Sequence, residues 1–167
     1  MRRFYPFSVP QLTILGFLAL LMAAAGTASA LPWRGAWKDL DGAAITATQP
    51  GDKHLMVFWG TWCVECRGKL KTQLPALMNR RSFGVWTVNV DKDVGRAREF
   101  VKREGISVPI LRDSEKRMQT ELKIFSVPQW VVFRHSGKGD ERSDWEVVAS
   151  GSGFDEAEVE RALAKGG

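Results

Sequence analysis

Cysteine and histidine are almost missing from this sequence, with two of each in 167 residues. Cys63 and Cys66 lie three positions apart, while His54 and His135 stand alone, so no ligand set with structural-zinc spacing can be assembled. A bridge closing so short a loop removes little chain entropy, so the pair is also a poor structural staple. Basic tracts are lacking too. The formal charge is +5, but setting aside Arg2 and Arg3 leaves 22 basic against 19 acidic residues, a net of +3. That excess is too mild and too scattered for a nucleic-acid partner. There is no internal repeat and no low-complexity segment.

The first thirty residues read as an export signal. Arg2 and Arg3 form a positive start, Leu12 to Gly26 is an apolar run, and Ala28-Ser29-Ala30 offers a small-residue cleavage site. Left uncut, the segment would instead be an inner-membrane anchor, because no charge occurs between Arg3 and Arg34. The expected organisation is 1–30 as signal or anchor and 31–167 as one folded domain, placed in the periplasm. Disulfides persist in such an oxidising space. With zinc and staple set aside, redox work is the account that remains for Cys63 and Cys66.

Apolar runs and turn residues then lay out the domain. Residues 31–52, with turns at Asp41-Gly42 and Pro50-Gly51, are expected to form an irregular or hairpin-like edge. Leu55 to Trp59 is continuously apolar, as in a strand buried on both faces. A helix is expected from Cys63 to Asn79, a strand at Val85–Val90, and a helix marked by Val94, Ala97 and Val101 that stops at Gly105. A third strand at Val108–Leu111 precedes a helix over Ser114–Lys123, with Met118, Leu122 and Phe125 turned inward. Gln129–Phe133 is a fourth strand, His135–Asp144 a hairpin loop, and Trp145–Ala149 a fifth strand. Asp155 with Glu158 caps the last helix, and Phe154 with Val159 staples it. The order is βαβαβαββα: an α/β fold with a central mixed sheet and helices on both faces.

Phe58-Trp59-Gly60-Thr61-Trp62-Cys63-Val64-Glu65-Cys66 carries the chain from a buried strand into a helix. At a helix N-terminus the first sulfur meets unpaired N–H groups and the positive helix end, which favour thiolate. Cys66, one turn on, is placed to resolve a mixed disulfide. Val127-Pro128, just before the fourth strand, suits a cis peptide that leaves the Val127 backbone free for an extended substrate. An ordinary trans proline opening a strand is the plainer reading, and Val108-Pro109 is assigned to it.

These residues resemble the thioredoxin superfamily, and within it the exported TlpA/ResA/CcmG-like class, over about Trp37 to Lys165. The stretch Phe58 to Arg67 is similar to the class signature, Val88-Asn89-Val90-Asp91 to its next strand, and Val127-Pro128 to its cis-proline. The resemblance implies a thioredoxin-like fold with an extra helix–strand insertion near Val94–Leu111. It also implies no bound cofactor beyond the redox-active Cys63–Cys66 disulfide, and no metal. The implied activity is thiol–disulfide exchange on disulfide-bearing exported proteins, apocytochrome c being a frequent substrate in the class. Reduction is favoured as its direction, with a membrane electron donor to recharge the dithiol. Oligomeric state is not legible.

Three departures stand out. The class's helix proline is replaced by Lys71, with Pro75 one turn later. Neither usual proton acceptor is present, since Val57 and Lys69 occupy those places. Glu65 lies between the cysteines, where its charge either raises the Cys63 pKa and favours the reducing side or is screened by solvent. Trp62, Glu65, Val127 and Pro128 are therefore expected to support Cys63 and Cys66. Two alternatives stay open: an oxidase or isomerase on the same fold, and a copper-binding or copper-delivery protein using both cysteines and His135.

Overall fold

The computed structural model describes residues 37–45, 52–80, 82–135 and 145–165. The expected export segment, the expected turn at Pro50-Gly51 and residues 136–144 of the expected hairpin loop lie outside them. Five strands, β1 (Lys53–Trp59), β2 (Gly84–Asn89), β3 (Ile110–Arg112), β4 (Gln129–His135) and β5 (Trp145–Ser152), form one sheet in the order β3-β2-β1-β4-β5. β1, β2 and β3 run parallel, and β4 and β5 are antiparallel to their neighbours.

Alternation along β1 separates two cores. Leu55, Val57 and Trp59 face one side with α1 (Val64–Gly68), α2 (Leu74–Met78), α3 (Val94–Glu104) and α5 (Glu156–Ala164). Met56 and Phe58 face the other with Val131, Phe133, Ile124 and the partly buried Met118 and Leu122 around α4 (Arg117–Glu121). Two successive parallel crossovers step the same way across the sheet, so right-handedness puts their helices on the same face. Burial on both faces explains why β1 and β4 read as unbroken apolar runs.

The helix after β1 is continuous from Val64 to Met78 but contains a π turn at Lys69–Gln73. Leu74 N–H donates to the Lys69 carbonyl, five residues back, immediately before Pro75, which has no N–H to give. The slip relieves the ladder where the displaced proline would break it, and the Thr72 hydroxyl takes up the Gly68 carbonyl at 2.9 Å. Cys66, Leu70, Leu74 and Leu77 remain on the buried side.

Two expectations need correcting. α4 is five residues long rather than ten, because the buried Asp113 carboxylate accepts the Met118 and Gln119 N–H groups and starts the helix late. Lys116 and Lys123, both in the left-handed region, bound it. Phe125 was expected inward but is 90% exposed, and Ile124 fills the core instead. Other elements shift by a few residues. α3 ends at Gly105 with φ +64, and α5 begins with Asp155 accepting the Glu158 N–H while Phe154 and Val159 are both buried. At the edge, Lys38 and Ala44 bridge across a turn at Gly42, and the Lys38 carbonyl accepts the Arg112 N–H, docking the segment against β3.

Candidate active site

Where β1 ends, the chain turns through Gly60, Thr61 and Trp62 before entering α1. Asp91, buried just past β2, holds that turn: one carboxylate oxygen accepts the Thr61 N–H at 2.9 Å and the other accepts its hydroxyl at 2.7 Å. Asn89 in turn donates to Asp91 at 2.6 Å and accepts its N–H at 3.2 Å. Val90 N–H reaches the Trp59 carbonyl at 2.9 Å, so the ends of β1 and β2 are stitched together beneath the turn. Trp62 folds its indole back over Gly60, where a Cβ would stand 2.7 Å from the ring carbons. Glycine at 60 thus lets the indole lie close against the turn, and any side chain there would have to push the ring aside.

Cys63 is the N-cap of α1. Its backbone is extended, its N–H donates to the Gly60 carbonyl at 3.0 Å, and its sulfur accepts the Cys66 N–H at 3.1 Å. A sulfur so placed satisfies one of the helix's orphan donors and, when reduced, holds its negative charge at the positive end of the helix. Cys63 and Cys66 are disulfide-bonded with their Cα atoms 5.3 Å apart. Both cysteines are buried, Cys66 at 2% exposure and Cys63 at 8%, so the bridged Cys63 does not stand open as an attacking sulfur would.

The Val127–Pro128 peptide bond is cis. Gln129 pairs with Phe58, so the register carries Val127 to the end of β1 beside Gly60. Val127 packs against both cores, and Pro128 is buried with its carbonyl accepting the Gly153 N–H at 2.8 Å. No backbone hydrogen bond is made by the Val127 N–H or carbonyl among the described residues. Glu65 is exposed in the first turn of α1 with no carboxylate ion pair among the described residues. Trp62, Glu65, Cys63, Cys66, Val127 and Pro128 are thus gathered at one end of the sheet.

Several supporting contacts were not anticipated from sequence. The Asp91 clamp is signalled only by the Asn89-x-Asp91 spacing after an apolar strand. Arg67, next to Cys66, lies 5.5 Å over the Phe100 ring and 3.8 Å from Glu104, while Phe100 itself stacks 5.7 Å from Trp59. Burial opposes ionisation of Glu104, but the nearby Arg67, Lys71 and Arg103 outweigh it and hold its carboxyl below the ordinary range. At the places of the class's proton acceptors, Val57 is buried in the core and Lys69 lies 5.7 Å over the Phe154 ring.

His135 is at the far end of β4, six residues from Gln129, which places its backbone about 20 Å along the strand from the dithiol end. That position removes the third ligand on which the copper alternative rested. Among the described residues no helix is long and apolar enough to cross a membrane.

A family model for a thioredoxin-like domain matches residues 40–143. The chain is 24% identical over 107 residues to the sporulation thiol-disulfide oxidoreductase A of Bacillus subtilis, covering 60% of this chain and 64% of that protein. It is 24% identical over 103 residues to the thiol-disulfide oxidoreductase ResA of Geobacillus thermodenitrificans, covering 60% and 59%. The chain therefore spans about three fifths of the length of these relatives. The crystal structure of StoA from Bacillus subtilis superposes with a TM-score of 0.60 at 21% identity, over 78% of this chain and 96% of that one.

Proposed function

The chain belongs to the thioredoxin-like domain family, and from that premise we propose that it is a periplasmic thiol–disulfide oxidoreductase that reduces disulfides of exported proteins. The observation that carries this reading is the placement of Cys63: its sulfur caps a helix, is bonded to a more buried Cys66, and lies at the sheet end that bears the cis Val127–Pro128 bond.

The chemistry balances as two sulfur exchanges. In the reduced form the Cys63 thiolate attacks one sulfur of a substrate disulfide, and the other substrate sulfur leaves as a thiolate that takes up a proton. Cys66 then gives up its proton and attacks Cys63, breaking the mixed disulfide and releasing the second substrate thiol. Two electrons pass from the dithiol to the substrate, and the Cys63–Cys66 disulfide remains. No further cofactor is needed, because the redox group is the pair itself. The Val127 N–H and carbonyl receive the extended substrate backbone beside the reacting sulfur.

Reduction is the favoured direction because no His or Arg separates the cysteines to stabilise a strongly oxidising thiolate. A membrane electron donor recharges the dithiol, and apocytochrome c is one candidate substrate. The leader-like first thirty residues support the periplasmic placement. The test is equilibration of the pair in a glutathione or dithiothreitol redox series. A potential near about −270 mV supports a reductase, and one near about −120 mV makes the protein an oxidant instead.

A further inference from the structure

Cys66 has to lose a proton before it can resolve a mixed disulfide, yet it is 2% exposed and sits in an apolar core. Burial of that kind disfavours the thiolate. The charged groups around it are mostly engaged elsewhere. Glu65, on the same helical turn, is exposed. Arg67 and Lys71 lie 3.8 Å and 3.5 Å from Glu104, at the end of α3. Asp155, beside Phe154, accepts the Glu158 N–H at 2.9 Å and caps α5. Lys69 is the one that remains.

Lys69 is tied to Cys66 directly. Its backbone N–H donates to the Cys66 carbonyl, three residues back, and side chains so spaced share one helix face with Cβ atoms about 5–6 Å apart. The side chain is partly buried, and its ammonium lies 5.7 Å over the ring of Phe154. That ring is 5% exposed and belongs to the same core as Cys66. The cation is thus held on the cysteine's side of the helix, with no carboxylate pairing it among the described residues. Its charge is not cancelled locally.

We infer that Lys69 is the counter-charge for the Cys66 thiolate and lowers the pH at which the resolving step can run. This rests on the exchange reading and adds a residue to its second half. Cys66 releases its proton to solvent, and the Lys69 ammonium stabilises the negative sulfur while keeping its own proton. The sulfur attacks Cys63, the bond from Cys63 to the substrate breaks, and the departing substrate sulfur takes up a proton.

Cys63→Ser leaves Cys66 as the only thiol and keeps an oxygen acceptor at the helix N-cap, and the ultraviolet absorbance of the thiolate then follows Cys66 against pH. In that background Lys69→Met, which keeps a long unbranched side chain without the charge, is expected to raise the Cys66 pKa by about one unit, the scale for one partly exposed charge nearby. Lys69→Arg restores the charge and brings the value back to within about 0.3 of the starting protein. No rise in Lys69→Met, or an equal rise in Lys69→Arg, overturns the inference and leaves exchange intact. Reduction of insulin by the two-cysteine parent, with dithiothreitol as electron source, tests exchange separately. Absence of turnover there overturns the exchange reading, and the role given to Lys69 with it.

Discussion

Asp91 grips Thr61 twice, accepting its backbone N–H at 2.9 Å and its hydroxyl at 2.7 Å. Through that pair β2 sets the path of the turn that delivers Cys63 to its helix. Asp91→Ala removes the carboxylate that accepts the Thr61 N–H, the Thr61 hydroxyl and the Asn89 side-chain amide. The loss is expected to be about 2 kcal/mol, the scale of hydrogen bonds to a buried charged group. Urea denaturation of the oxidised protein checks the stability. The exchange rate falls as well, because a misplaced turn misplaces the sulfur.

Two glycines make a matched contrast. A Cβ at Gly60 meets the Trp62 ring at 2.7 Å, and one at Gly151 meets the Trp130 ring at 2.5 Å. Trp62 is exposed and can swing away, whereas Trp130 is buried across the strand pair from Gly151. Gly151→Ala is therefore expected to cost about 1–3 kcal/mol as an overpacked core, and Gly60→Ala well under that. Gly60→Ala lowers exchange activity instead, by displacing the indole beside Cys63. Comparable destabilisation of both variants would contradict the assignment.

Glu104 makes stability depend on acid. Its carboxyl is held below the ordinary value in the folded protein by Arg67, Lys71 and Arg103. A lowered folded pKa contributes stability that is present above the unfolded value of about 4.3 and is lost as pH falls through the folded value. Thermal unfolding of Glu104→Gln should show a smaller loss of Tm below about pH 4.5 than the parent does, starting from a lower Tm at pH 7. A parallel pair of pH profiles would refute the role given to the carboxylate.

Glu65, exposed in the first turn of α1, is expected to repel the Cys63 thiolate. Glu65→Gln should lower the Cys63 pKa and move the couple to a less negative potential. Thiol alkylation against pH, together with a redox titration, measures both. If neither changes, solvent screening has erased the effect.

Much of this was readable from residue order because single local signals set it. The apolar run Leu55–Trp59, the Asp155–Glu158 cap and the Cys63–Cys66 spacing each depend on neighbours within a few positions, and each element falls where the pattern puts it. Long-range contacts were not readable. Asp91 looked like the tail of a strand because its partner Thr61 is thirty residues away. Helical periodicity over Ser114–Lys123 put Phe125 on the inner side, but the Asp113 carboxylate starts α4 late, the left-handed Lys123 follows its end, and Phe125 faces solvent. Pro75 signalled a kink; the π turn that precedes it is the form the relief takes once the helix is packed on the sheet.

Trapping the mixed disulfide tests the division of labour between the two cysteines most directly. Cys66→Ala, reduced and mixed with a disulfide-bearing unfolded protein, is predicted to accumulate a covalent adduct through Cys63, seen by mass spectrometry. Cys63→Ala is predicted to form almost none, because its remaining thiol is the more buried of the two. Equal adducts from both variants, or an adduct carried by Cys66 alone, would contradict Cys63 as the attacking sulfur.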